Sequence, residues 1–184
     1  MSGHPIARPG PNEYAEFYAG YVVAAPGDDP IAELERQAKR VVAGFNRMTR
    51  EELTYRYAPG KWSPLQILGH INDSERIFSY RALRFARGDA TALPGMDQDE
   101  FVDGADFDTA PVSLLISEFN HLRAANVALW KTLDDAAVRR RGTASDCPFT
   151  VRALIWIILG HTEHHLGVLA DSYDLADRFA PPAV

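Results

Sequence analysis

Three of the six histidines fall within one short stretch, Gly160-His161-Thr162-Glu163-His164-His165-Leu166-Gly167. In an α-helix, residues four apart share a face with Cβ atoms about 5–6 Å apart, so His161 and His165 can close on one ion. His164 lies beside that line and cannot easily replace either member. Two imidazoles alone make a weak site. The best third ligand is His70, on the same helical stripe as Ile67, Ser74 and Ile77 and therefore facing inward. Three neutral imidazoles suit zinc, nickel, iron or copper. They leave at least one coordination position open, as catalytic sites do and closed structural sites do not.

Each feature also has an ordinary explanation. A lone inward histidine is commonly a hydrogen-bonded core residue, and a histidine pair four apart arises on surfaces by chance. The coincidence of all three on inward faces of two separate helices favours the metal. The metalloprotease motif is excluded, because Thr162 stands where a glutamate must follow the first histidine. Glu163 points away from the His161–His165 line. His4 falls in a proline-rich tail and His121 on the flank of another helix, so neither joins the triad. No catalytic base is evident. Asp97, Asp99, Glu100 and Asp103 form an acidic loop that could supply one or hold a cationic group, against the plainer reading of a solvated loop. That loop is no EF-hand, since Phe101 occupies a required oxygen-ligand position. Walls of Trp62, Phe78 or Trp156 would shelter a thiol, although aromatics at helical spacing commonly belong to a core. Cys147, just before a helix and without a histidine partner, reads as an inert, partly buried thiol.

The elements that must carry these residues are helical. Proline-rich residues 1–11 read as a poorly ordered tail. Next come the spaced aromatics Tyr14, Phe17, Tyr18 and Tyr21, forming a short helix over 12–21 or an arm over the bundle. The first long helix is expected from Pro30 to about Met48, capped by Asp29. The second opens on Ser63-Pro64 with Gln66 completing a capping box, and Gly88 ends it. After an aperiodic connection over 89–111, the third spans about Val112 to Leu133. A helical turn over 135–141 follows, and the fourth runs from Val151 to about Tyr173, capped by Thr150. No segment reads as a strand. The expected fold is all-α: a four-helix bundle over 30–175 with a long crossover between the second and third helices, flanked by an arm over 1–29 and a tail over 176–184.

The composition, 46% hydrophobic and 24% charged, is that of a soluble globular domain. One cysteine allows neither an internal disulfide nor a cysteine metal site. The apolar run Ala153 to Leu159 is too short to span a bilayer, and no secretory signal is legible, so a cytoplasmic location is expected. A net charge of −6, with no basic stripe, argues against nucleic acid as a partner. The cluster Arg139-Arg140-Arg141 reads as a solvated helix end.

Gly60-Lys61-Trp62-Ser63-Pro64 opening a helix, Gly69-His70-Ile71, and the stretch Gly160 to Gly167 together resemble the DinB-like (DinB/YfiT-like) superfamily of metalloenzymes. Arg81-Ala-Leu-Arg84-Phe-Ala-Arg87-Gly88-Asp89 through Leu93-Pro94-Gly95-Met96-Asp97 is similar to one branch of it. The resemblance covers about Pro30 to Tyr173. It implies a four-helix bundle with a long crossover, often a homodimer, holding a metal through three histidines, which here are His70, His161 and His165. His164 matches a position commonly occupied by histidine that is not a ligand. Related members include thiol-S-transferases and isomerases using low-molecular-weight thiols such as bacillithiol or mycothiol. The family name comes from DNA-damage induction and implies no DNA binding. The expected function is a metal-dependent enzyme that activates a small thiol or water, thiol-S-transferase-like or hydrolase-like, with a small-molecule substrate. Zinc or nickel is expected ahead of iron or manganese as the divalent transition metal. The alternative is a non-catalytic metal- or ligand-binding stress-response module.

Overall fold

The computed structural model describes residues 6–179, so His4 lies outside the described residues. In chain order the helices are α1 (Ala19–Ala24), α2 (Pro30–Asn46), α3 (Arg50–Thr54), α4 (Pro64–Ala86), α5 (Gln98–Asp103), α6 (Val112–Trp130) and α7 (Asp135–Arg139). A hairpin of β1 (Arg141–Ala144) and β2 (Cys147–Thr150) follows, then α8 (Val151–Ser172) and α9 (Ala176–Phe179). The four long helices α2, α4, α6 and α8 form the bundle. α4 packs on α6 and α8, and α2 packs on the same two, so α2 stands diagonal to α4.

Local chemistry sets the helix starts. The Asp29 carboxylate accepts from the Ile31 and Ala32 N–H groups at 3.0 and 3.3 Å, with Pro30 in the first position, where its missing N–H costs nothing. Ser63 Oγ accepts from Gln66 N–H at 3.1 Å while Gln66 Oε1 accepts from Ser63 N–H at 2.9 Å, the reciprocal box that opens α4. At the other end of α4, Gly88 adopts φ +81°, and Gly88 N–H and Asp89 N–H return to Phe85 O and Arg84 O at 2.9 and 3.0 Å. Those two bonds satisfy carbonyls that would otherwise lack donors. Thr150 Oγ1 accepts from Ala153 N–H at 3.1 Å and starts α8. α2, α6 and α8 end one to three residues before the expected limits. At α6 the last residues tighten into i→i+3 turns, such as Leu133 N–H to Trp130 O at 3.1 Å.

Two regions expected to be irregular are not. β1 and β2 pair antiparallel, with Arg141 opposite Thr150 and Ala144 opposite Cys147. Their turn, Ser145-Asp146, has φ of 52° and 57°, the doubly left-handed turn that matches strand twist. Leu93 from the crossover lies along Ala144, donating to Thr143 O at 2.9 Å and accepting from Ser145 N–H at 3.0 Å. The crossover over 87–111 also contains α5, whose N-cap Asp97 accepts from Asp99 and Glu100 N–H groups at 2.9 and 3.2 Å.

From Ile6 onward the amino-terminal arm is docked rather than loose. Ile6 is buried and its carbonyl accepts from the Trp156 indole at 3.1 Å. Arg8 stacks over that indole and donates to Ala25 O and Gly27 O at 2.9 and 2.8 Å, capping the end of α1. Glu13 is buried against Arg152 and the Thr150 hydroxyl. Burial opposes its charge, but Arg152, the Gly10 N–H and Thr150 outweigh that and hold its carboxyl down at about 2. Phe179 is likewise buried, on Phe45, so residues 176–179 close the end of the bundle.

Candidate metal centre

His70 comes from the first half of α4, and His161 and His165 from the middle of α8. All three are buried, at 2, 5 and 9% exposure, while His164 and His121 are exposed. Room for this burial is made by the glycine immediately before two of them. A Cβ on Gly160 would stand 1.7 Å from the Tyr21 carbonyl oxygen, so only glycine lets α1 lie against α8 and cover His161. A Cβ on Gly69 would meet the Phe107 ring at 2.5 Å, where the crossover covers α4.

The three rings converge through one type of atom. His161 Nε2 lies 3.0 Å from His70 Nε2 and 3.2 Å from His165 Nε2, and one nitrogen of each lies within 4.8 Å of the others. Two nitrogens bound to one zinc at about 2.0–2.1 Å stand roughly 2.9 Å apart at a right angle and 3.4 Å at the tetrahedral angle. Both separations in the structure fall inside that interval. Hydrogen bonding alone does not satisfy the cluster, because a neutral imidazole nitrogen is either one donor or one in-plane acceptor. His161 Nε2 faces two partners and can serve one. A cation at the common point would satisfy all three lone pairs, so the residues fit a metal. No fourth protein ligand closes the set among the described residues.

The surroundings keep the imidazoles neutral, the form that ligates. Burial pushes the His70 pKa down to about 4, with His164 adding to the effect. Burial, then the neighbouring imidazoles, pushes His161 and His165 well below their ordinary value. Trp62 stands on His70 with ring centres 4.8 Å apart, and Tyr21 and Phe78 meet His161 edge-on at 5.2 and 6.0 Å. Groups with lowered folded-state pKa values bind fewer protons than the unfolded chain, so they favour folding above pH 6.5 and lose that contribution as pH falls. Metal-free protein should therefore lose about 2–3 kcal/mol between pH 6.5 and 4 from His70 alone. Urea denaturation across that range measures it, and His70→Ala should lessen the pH dependence by about that amount, leaving the share due to His161 and His165.

Two cavities reach the centre. One of about 350 Å3 opens on His70 and His161, and the other, of about 320 Å3, opens on His165. Gln98 and Asp99 of α5 border both. All four residues of the acidic group are exposed, and of them Asp97 and Asp99 line the first cavity while Glu100 and Asp103 line neither. Trp62 and Phe78 do wall the centre. Trp156 instead belongs to the core under Arg8, and Glu163 turns away to Gln37 and Arg40 at 2.8 and 2.9 Å. The wall also holds Tyr18, Ser74 and Arg81, to which the sequence assigns no chemical role. Ser74 Oγ lies 3.5 Å from His70 Nε2, and both Ser74 and Arg81 return to the His70 face at helical spacing.

The chain is similar to known proteins. A protein of Oceanobacillus iheyensis named "Putative metal-dependent hydrolase OB0413" is 27% identical over 142 residues, covering 74% of this chain and 79% of its own length. The solved structure of YfiT from Bacillus subtilis, described as a probable metal-dependent hydrolase with an unusual four-helix bundle topology, superposes with a TM-score of 0.69 at 22% identity. That match covers 82% of this chain and 86% of YfiT. At that identity the likeness establishes the four-helix fold. The DinB superfamily model matches residues 33–169, from within α2 to the last turn of the histidine helix, and the chain belongs to that superfamily.

Proposed function

We propose that the chain is a metal-dependent enzyme in which His70, His161 and His165 hold one divalent transition ion. The observation carrying this reading is the convergence of three buried Nε2 atoms that hydrogen bonding cannot satisfy. The name of the Oceanobacillus relative supports hydrolysis as the reaction class. An ion held there would lower the pKa of a water or a small thiol and so supply a nucleophile at neutral pH. The chain's own residues do the rest. Trp62, Tyr21 and Phe78 exclude solvent from the imidazoles, and neutral rings keep their lone pairs on the common point. Asp99 borders both cavities and is free of the capping duty that occupies Asp97, so it is the carboxylate placed to take a proton. Three imidazoles bind the later divalent metals in the usual affinity order, so cellular supply decides among them, with zinc or nickel expected ahead of iron or manganese.

Elemental analysis of purified protein should find about one ion per chain, reduced at least tenfold in His70→Ala and His165→Ala. Loaded protein should turn over either activated esters or an electrophile with a small thiol, and chelation should remove that rate. Metal that survives both substitutions would refute the ligand assignment. Full loading without turnover on either panel would instead favour a non-catalytic binding module.

A further inference from the structure

Arg81 sits three turns along α4 from His70 and lines the cavity that opens on His70 and His161. It is 3% exposed, yet no carboxylate among the described residues lies within ion-pairing distance of it. One nitrogen, NH2, donates to Pro94 O at 2.9 Å and to Ser145 Oγ at 3.0 Å, fastening the crossover and the hairpin turn. Its remaining donors face only the Tyr18 hydroxyl, a neutral phenol whose pKa burial raises and which therefore offers no counter-charge. Asp97 and Asp99 share the cavity without pairing with it. The other buried arginine among the described residues is matched: Arg123 meets Glu75, with both side chains 2% exposed. A buried, uncompensated guanidinium is costly unless something pairs with it, and its planar fork fits a carboxylate or phosphate.

We infer that this cavity takes an elongated anionic ligand, whose carboxylate or similar oxyanion pairs with Arg81 while its other end reaches the histidine centre. This deepens the metal-dependent reading and rests on it for the far end of the ligand only. Arg81 lies eleven positions after His70, so both fall on one face about 16 Å apart along the axis. Side-chain length and lean toward the amino terminus shorten the gap to on the order of 10 Å. Tyr18 and Ser145 stand at the anion end and Phe78 between, so the ligand has a charged head and an apolar middle. A divalent ion with three neutral ligands would add positive charge at the far end, reinforcing selection for anions.

Two measurements separate this proposal from the metal reading. Metal-free protein titrated with octanoate and octan-1-ol should prefer the carboxylate by about 10- to 100-fold. Arg81→Gln should lose that preference while keeping its affinity for the alcohol, and Arg81→Lys should retain an intermediate share. Cobalt-loaded protein titrated with 8-mercaptooctanoate and 8-mercaptooctan-1-ol should show the thiolate–cobalt absorption band with the same ranking. Equal affinities in the wild type, or no octanoate binding, would overturn the proposal without any variant having to fold. A preference that persists in protein unable to hold cobalt would leave Arg81 standing and remove the metal centre. A cobalt–thiolate band without preference would do the reverse.

Discussion

Arg123→Met should destabilise the protein by about 3–5 kcal/mol, the cost of leaving one partner of a buried ion pair uncompensated. Arg123 is fixed from four directions. Its Nε and NH2 donate to the Glu75 carboxylate of α4 at 2.8–3.1 Å, and its NH1 donates to Leu34 O and Gln37 Oε1 of α2 at 3.2 and 2.8 Å. NH2 also reaches Thr162 Oγ1 of α8 at 3.3 Å, and Asn126 Nδ2 shares Glu75 Oε1 at 3.1 Å. Gln37 passes the network on to Leu159 O and Glu163. One side chain thus ties all four long helices together, immediately behind the histidines. Denaturant midpoints of Arg123→Met, Glu75→Met and the double variant test this. The double variant should recover much of the loss, because no lone charge is left buried. A single-variant cost under about 1 kcal/mol would mean that water reaches the pair.

The same network explains why a soft motif suffices to build the centre. Glu75 follows Ser74 on the helix that carries His70, and Thr162 follows His161. Pinning those neighbours fixes the rotation of both helices about their axes, which is the variable that decides whether the Nε2 atoms meet. Loss of Arg123 should therefore loosen metal binding as well as the fold, although the residue touches no ligand.

What the sequence disclosed follows from how locally each feature is encoded. The Ser63–Gln66 box, the Asp29 cap and the His161–His165 spacing each lie within one helical turn, and each is found as expected. Pairing His70 with them required only that both helices face inward. Arg123 and Arg81 stayed hidden because a charged residue on an amphipathic helix is ordinarily solvated, and the partners that bury them come from distant segments. The hairpin over 141–150 was hidden by two four-residue strands, Pro148 within one of them, and a Ser145-Asp146 turn lacking the usual glycine. Helix α5 has six residues, too few for periodicity to register. The amino-terminal arm is held by long-range contacts, Ile6 O to Trp156 and Glu13 to Arg152, that composition cannot express.

His161→Ala should abolish the stabilisation that a divalent metal gives the wild-type fold. His161 is the middle member of the cluster, the one whose Nε2 contacts both others, so its loss leaves a separated pair. Metal at a hundred times its dissociation constant adds about 2.7 kcal/mol to a fold that binds it only when folded. For a chain of this size that is roughly 5–11 °C in melting temperature. The variant should show almost none of this shift at the same metal concentration. In chelator, by contrast, the substitution should cost less than an ordinary truncation of a buried side chain. The cavity it leaves is offset by release of a nitrogen that faces two others with only one hydrogen bond to share. The signature is thus a crossed pattern: similar melting without metal, wide separation with it. Parallel shifts in both proteins would place the bound metal elsewhere on the chain, and a large loss in chelator alone would make His161 a packing residue.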